Sequence, residues 1–166
     1  KGNTGDGSSI TYELTGGATM ANTNSNRYFR WTTVGAYVAK GVTLCLSVMY
    51  KPVSGADEFC MEIAYTAGYS TSQSWATIKP TDQLEIEQTD GWVLRYGLWT
   101  PPDNATLKLV DMGSGTTHAG TGNYTNKFSL LHPMLQYGNA PTAWNASSGD
   151  YLTQESAKSL FSQTAD

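Results

Sequence analysis

Charge is scarce in this chain of 166 residues: Asp, Glu, Lys and Arg together make up 14%. Polarity comes instead from Gly, Ser, Thr and Asn, a balance that suits β-rich extracellular or virion proteins better than helical cytosolic enzymes. The formal net charge is -4, and Lys and Arg never cluster. Neutralising phosphates needs clustered cations, so neither nucleic acid nor an anionic membrane is expected as a partner. No apolar run approaches the roughly 20 residues that span a bilayer. The opening Lys-Gly-Asn-Thr is no signal peptide, although a removed leader or a start inside a longer protein would look the same. Cysteine occurs twice, as Cys45 and Cys60, which is too few for a disulfide framework. Both fall in strands expected to be neighbours, so a bridge is conceivable, but a free, buried thiol is the commoner state.

Catalytic signatures are missing too. The sequence holds no phosphate-cradling Gly-x-x-x-x-Gly-Lys loop, no Gly-x-Ser-x-Gly elbow and no His-Glu-x-x-His pair. His118 and His132 are its two histidines. His132 sits in an apolar run, Leu130-Leu131-His132-Pro133-Met134, and reads as a packed side chain; His118 lies in a Gly/Thr loop and reads as exposed. Glycosidases need two carboxyl groups across a cleft. Asp57, Glu58, Glu62, Glu85, Glu87 and Asp111 are candidates, but a chain this long supplies such a list by chance. The pairs 57/58 and 85/87 read as solvated surface. No cofactor is expected. A structural calcium built from distant loops would leave no spacing to read.

What is present is a succession of short strands. Ile10, Tyr12 and Leu14 alternate; 27–33 holds Tyr28, Phe29 and Trp31; and 42–50 puts Leu44, Leu46, Val48 and Tyr50 on one face against Cys45, Ser47 and Met49. Pro52 and Gly55 mark a hairpin loop before 57–65, where Phe59, Met61 and Ile63 share a face, so these two strands are expected to pair antiparallel. Short strands follow at 74–78 and 84–88, and Asp90-Gly91 is a turn signal. In 91–100, Trp92, Leu94, Tyr96 and Leu98 alternate with Val93, Arg95 and Trp99, which predicts the leucines inward and Arg95 with Trp99 outward. Strand 105–112 should point Leu107 and Leu109 inward, and 124–137 should bend near Pro133. Strands divided by Gly/Pro turns, with no alternating helices, indicate an all-β antiparallel sandwich or barrel, and the chain length favours a sandwich of jelly-roll form. Three parts are expected: a Gly-rich segment at 1–7, read either as a linker or as the end of a Gly-X-Y stretch; a sandwich at 8–149; and a helical linker at 150–166. Both readings of 1–7 place more protein upstream.

The chain is rich in aromatics, with five Trp and ten Tyr. Aromatic faces stack on the C–H faces of sugar rings while amides and carboxylates bond the hydroxyls. Core packing explains Trp92 and Trp144. The better ligand candidates are Trp99 and Arg95 on the predicted outer face, Trp75 after the polar loop 70–74, and Trp31 after the Asn-rich loop 22–26. Tyr69 and Tyr124, in Gly-rich loops, are weaker candidates.

Three stretches carry a resemblance. They are Val42-Thr43-Leu44-Cys45-Leu46-Ser47-Val48; Asp90-Gly91-Trp92-Val93-Leu94-Arg95-Tyr96 with Thr100-Pro101-Pro102-Asp103-Asn104-Ala105-Thr106; and the close Pro133-Met134-Leu135-Gln136-Tyr137-Gly138-Asn139-Ala140-Pro141-Thr142-Ala143-Trp144. They resemble jelly-roll carbohydrate-binding modules of bacteriophage tail proteins and secreted glycoside hydrolases, and the tail 151–166 resembles the helical linker that follows such modules in phages of Gram-positive hosts. The resemblance implies a virion location facing outward, adhesion to host cell-wall polysaccharide or another glycan, neighbouring tail or baseplate chains, and no catalysis. It carries over no binding residue. A spacer that binds nothing and a glycan-modifying enzyme remain as alternatives.

Overall fold

The computed structural model of the chain describes residues 2–3, 12–15, 27–114 and 127–144. These form ten strands: β1 Gly2–Asn3, β2 Tyr12–Thr15, β3 Arg27–Val38, β4 Leu44–Ser54, β5 Phe59–Ala67, β6 Ser74–Ile78, β7 Leu84–Glu87, β8 Val93–Trp99, β9 Ala105–Ser114 and β10 Lys127–Tyr137. A 3-10 turn, Pro80–Asp82, sits between β6 and β7. The strands make two five-stranded sheets, sheet A in the order β1-β3-β9-β5-β6 and sheet B in the order β2-β10-β4-β8-β7. Pairing is antiparallel except for the two-residue β1. The fold is thus an all-β sandwich of jelly-roll type. The helix expected at 151–166, Tyr124 and His118 lie outside the described residues.

The inward faces of both sheets meet in one core. Leu44, Leu46, Val48 and Tyr50 of β4 face Phe59, Met61 and Ile63 of β5, with Leu107, Val110 and Met112 of β9 and Phe128 and Leu130 of β10 completing it. Burying each such side chain is worth about 1.5–3 kcal/mol. Tyr50, Phe59 and Phe128 touch one another, with ring centroids 5.1–5.5 Å apart and one edge-on contact.

Three sequence expectations are corrected. β4 and β5 do not pair: β4 belongs to sheet B and β5 to sheet A, so 55–58 crosses between the layers. Cys45 and Cys60 therefore belong to different sheets, each alternating with the core residues of its own strand, and both are free and buried. Second, the register of β8 places Val93, Arg95, Gly97 and Trp99 opposite Tyr50, Val48, Leu46 and Leu44. This is the core face, so Leu94, Tyr96 and Leu98 point away from it. Gly97 is needed there because a Cβ would meet Ile78 at 2.8 Å. Third, an irregularity between Ala64 and Tyr65 shifts the β5–β9 register, so that Leu107 and Val110 are core while Leu109 is only partly buried.

The outer face of sheet B is not simply wet. Cys45 and Ser47 are buried although they alternate with the core residues of β4. β10 carries a bulge after Leu131, where His132 adopts a left-handed φ of 56°. Beyond β10 the chain turns back: the Thr142 N–H and hydroxyl donate to Gln136 Oε1 at 3.2 and 3.3 Å, and Trp144 stacks on His132 with centroids 4.3 Å apart. Trp144 therefore lies beyond the last strand, half-buried, and not in the core.

Candidate functional site

The strand directions collect loops at the two ends of the sandwich. β3, β5, β8 and β10 finish, and β4, β6 and β9 begin, at what we call the loop end. The opposite, hairpin end carries the 55–58 crossover and the β7–β8 turn. In that turn Asp90 and Gly91 both have positive φ, as the tightest hairpin connection demands.

At the hairpin end Arg95 is 6% exposed, and its charge is matched twice. Its Nη1 donates to Asp57 Oδ1 at 2.8 Å, its Nη2 lies 2.7 Å from Asp57 Oδ2, and its Nε donates to Glu85 Oε1 at 2.9 Å. Nη2 also donates to Glu85 Oε1. The guanidinium lies 4.0 Å from the centroid of the Tyr50 ring. Burial acts to lower the Arg95 pKa, but the bonds to Asp57 and Glu85 outweigh it and raise it. Burial, with Asp57 adding to it, pushes the Tyr50 hydroxyl up to about 12. A cleft of about 230 Å³ opens here. Its charged groups already bind one another, so the guanidinium holds two carboxylates in place and has little donor capacity left for a ligand. Asp57 and Glu85, expected as free surface, are partners in this clamp.

The loop end is built differently. Gly41 N–H donates to Pro101 O at 3.5 Å, Gly68 N–H to Asn104 O at 2.7 Å, and Gly138 N–H to Thr43 O at 2.9 Å. Lys40 N–H donates to Asn104 Oδ1 at 3.0 Å, and the hydroxyls of Thr43 and Thr100 share a bond of 2.8 Å. Four loops are thereby tied together through their backbones. Around them three rings are left open: Tyr69 is fully exposed, Tyr137 is 64% exposed and Tyr37 is 58% exposed. The Tyr137 hydroxyl donates to Tyr37 O at 3.1 Å, which keeps two of the rings together. Gly68 has a φ of 56°, and a Cβ there would meet Asp103 Oδ2 at 2.9 Å, so the turn that presents Tyr69 depends on glycine.

The expected ligand residues are not brought together in one place. Trp99 ends β8 at the loop end, but it faces the core, half-buried, with its ring 4.8 Å from that of Tyr65. Trp75, also at the loop end, pairs in register with Ala64 on sheet A and is half-buried. Trp31 lies opposite Val110 in the β3–β9 register. Arg95 belongs to the far end, four residues down the strand from Trp99. Among the expected residues whose side chains the structure describes, Tyr69 alone presents an open ring. Tyr37 and Tyr137 were missed because each sits near the end of a strand; the signal for Tyr137 is the adjacent Gly138, whose positive φ turns the chain, and for Tyr37 the turn at Gly41 shortly after it.

The carboxylates tell a related story. On sheet A the register sets Arg30, Asp111, Glu62 and Thr77 in a row across four strands. Arg30 grips Asp111 with two bonds of 2.6 Å, and Thr77 donates to Glu62 Oε1 at 3.0 Å. Glu62 and Asp111 are buried. Among the described residues no group of three or more His, Cys, Asp or Glu side chains is placed to hold a metal ion.

No family model matches the chain, and no curated protein does. Among solved structures the chain is similar to CBM35 from Cellvibrio japonicus Abf62. That likeness covers 80% of this chain and 100% of the other, at 11% identity and a TM-score of 0.24. The fold and the site therefore rest on the geometry above.

Proposed function

We propose that this chain is a non-catalytic carbohydrate-binding module of a phage tail or baseplate protein, which adheres to polysaccharide on the host cell surface. The observation that carries the reading is the group of open tyrosine rings on the backbone-tied loop end. A phenol presents an apolar face for a sugar ring and a hydroxyl for its polar rim. Loops already fixed lose little freedom when a ligand settles on them. Threonine hydroxyls and asparagine amides surround the rings, as a hydroxyl-rich ligand requires. Trp99 supports this end from beneath and Trp75 lies at its rim. The virion setting rests on the resemblance of 90–106 and 133–166 to tail modules. Each module binds weakly, in the micromolar to millimolar range, and several copies on one particle raise the avidity.

The carboxylates favour a binding module over an enzyme. Asp57 and Glu85 share one guanidinium, and Asp111 is gripped by Arg30, so these candidates are committed to internal partners.

The test is retention of the labelled domain on an array of bacterial cell-wall polysaccharides. Wild type should be retained, and Tyr69→Ala and Tyr37→Ala should each weaken binding roughly tenfold without lowering the melting temperature. Equal retention of both variants overturns the site, and no retention of wild type on any glycan overturns the function. That last result would favour a structural spacer, a reading supported by one observation. Leu84, Ile86 and Leu98, on the outer face of sheet B, are exposed as a partner-facing surface would be.

A further inference from the structure

A second depression, of about 300 Å³, lies on the outer face of sheet B, away from the loop-end tyrosines. Its floor is apolar: Met49, Leu94, Leu131 and Met134. One wall is the His132–Trp144 stack, whose planes lie 18° apart. The polar groups at its margin are the Gln88 carboxamide and the hydroxyls of Ser47 and Thr142. Among the described residues, no Asp, Glu, Lys or Arg lines it. Burial lowers the His132 pKa, so the imidazole is neutral at neutral pH.

Two further observations mark this place as more than a surface dimple. His132 holds a left-handed backbone conformation at a bulge, which costs free energy for a residue other than glycine. The bulge turns the imidazole into the stack that forms the wall. The Trp144 indole N–H is shielded from solvent and has no hydrogen-bond acceptor among the described residues. A shielded donor without an acceptor is a standing cost, kept here at a place where the indole ring forms the wall of the depression.

The lining specifies its ligand by exclusion and by fit. An ionised group meets no counter-charge among the described residues and would be desolvated without compensation. A bare polyol would set its hydroxyls against methionine and leucine. A small methyl group joined to one carbonyl acceptor and one N–H donor fits both the floor and the margin. We infer that this depression is a second saccharide site, which takes the acetamido group of an N-acetylhexosamine. The methyl packs on Met49, Leu94 and Met134; the carbonyl accepts from Gln88 Nε2; and the amide N–H donates to Gln88 Oε1. The sugar ring lies against the His132–Trp144 wall. The site is independent of the loop-end tyrosines.

The test uses the whole chain, labelled with nitrogen-15 and titrated with N-acetylglucosamine, N-acetylgalactosamine, glucosamine and glucose. Concentrations run to roughly 100 mM, where even a site of millimolar affinity is filled. A Trp144→Phe variant identifies the Trp144 indole signal. The N-acetyl sugars should shift that signal and saturate it, while glucose and glucosamine should do so at least tenfold more weakly. Gln88→Ala should weaken binding fivefold or more at unchanged melting temperature, and Met134→Arg should abolish it. Tyr37→Ala and Tyr69→Ala should leave it unaltered. Saturation by glucose at the same concentrations overturns the acetamido assignment. An indole signal unmoved by any N-acetyl sugar, or a Gln88→Ala variant that binds as tightly as wild type, overturns the site. The two tyrosine variants separate the proposals. If they keep polysaccharide retention, the loop-end reading fails and this one stands; if they lose acetamido binding, this one fails.

Discussion

The two ends of the sandwich solve opposite problems. At the hairpin end a buried cation is surrounded by its own chain: two carboxylates bind Arg95 and an aromatic ring lies beneath it. At the loop end backbone bonds do the fixing, and the side chains are left over. Polar density alone therefore does not mark a binding surface. The richer cluster of charges is the one whose hydrogen-bonding capacity is already used, and the nearly uncharged end is the one with rings to offer.

The largest effect that would sharpen this contrast is Arg95→Met. Removing the cation leaves Asp57 and Glu85 facing each other over Tyr50. Stability should fall by about 2–3 kcal/mol in chemical denaturation, since the two part-exposed carboxylates can rehydrate, while the protein that remains folded keeps its polysaccharide retention. Loss of retention in folded protein would move the site to the hairpin end.

Raising the pH comes next. Burial pushes Tyr50 and Cys60 each to about 12, above their ordinary values of about 10 and 9. The folded state holds these protons more tightly than the unfolded chain. Their contribution is complete below the unfolded pKa values and is lost as the pH rises towards 12. Denaturation at a pH near 10.5 should show a loss of roughly 2–3 kcal/mol relative to neutral pH, with amide exchange increasing first around Tyr50 and Cys60. A loop end that opens before them would reverse the expected order. In the native state at neutral pH neither Cys45 nor Cys60 should react with a thiol reagent.

Gly97→Ala, midway between the ends, should cost about 1–3 kcal/mol because the new methyl group meets Ile78. It should leave retention on glycan unchanged. A loss of retention at this site would show that the ends are coupled through the sheets. The smallest effect belongs to His132. Its folded pKa lies below the unfolded value, so its contribution is present above a pH of about 6.5 and fades as the pH falls below that. His132→Asn, which tolerates the left-handed bulge, should remove that slope and little else in melting curves between neutral and acidic pH.

Much of the fold was legible in the sequence, because alternation is a local signal. The positions of β4 to β9 and the bend of β10 follow from period-two runs and from Gly and Pro. Facing and pairing were less legible. In β8 the apolar residues Leu94 and Leu98 suggested a core face, yet the true core face carries Arg95 and Gly97. Arg95 can lie there only because Asp57 and Glu85, 38 and 10 positions away, neutralise it. Gly97 is there because Ile78 of the other sheet leaves no room. Neither cause is local. The same holds for β4 and β5: Pro52 and Gly55 announce a reversal, but whether the chain pairs back or crosses to the other sheet is decided by β8 and β9 competing for the same edges. Among the proposed site residues, the exposure of Tyr69 was visible from its glycine-rich loop. Tyr37 and Tyr137 were hidden within strands, and their exposure comes from standing where those strands run out.

The backbone ties at the loop end also bear on how such a domain can diversify. Because Gly41, Gly68 and Gly138 anchor their loops by main-chain groups, the residues at the tips carry almost none of the burden of keeping the sheets together. Tyr37, Tyr69 and Tyr137 can therefore be exchanged for other amino acids, and under the proposed function the preferred sugar altered, while the framework beneath persists. The arrangement leaves a surface that can drift freely over an unchanging chassis.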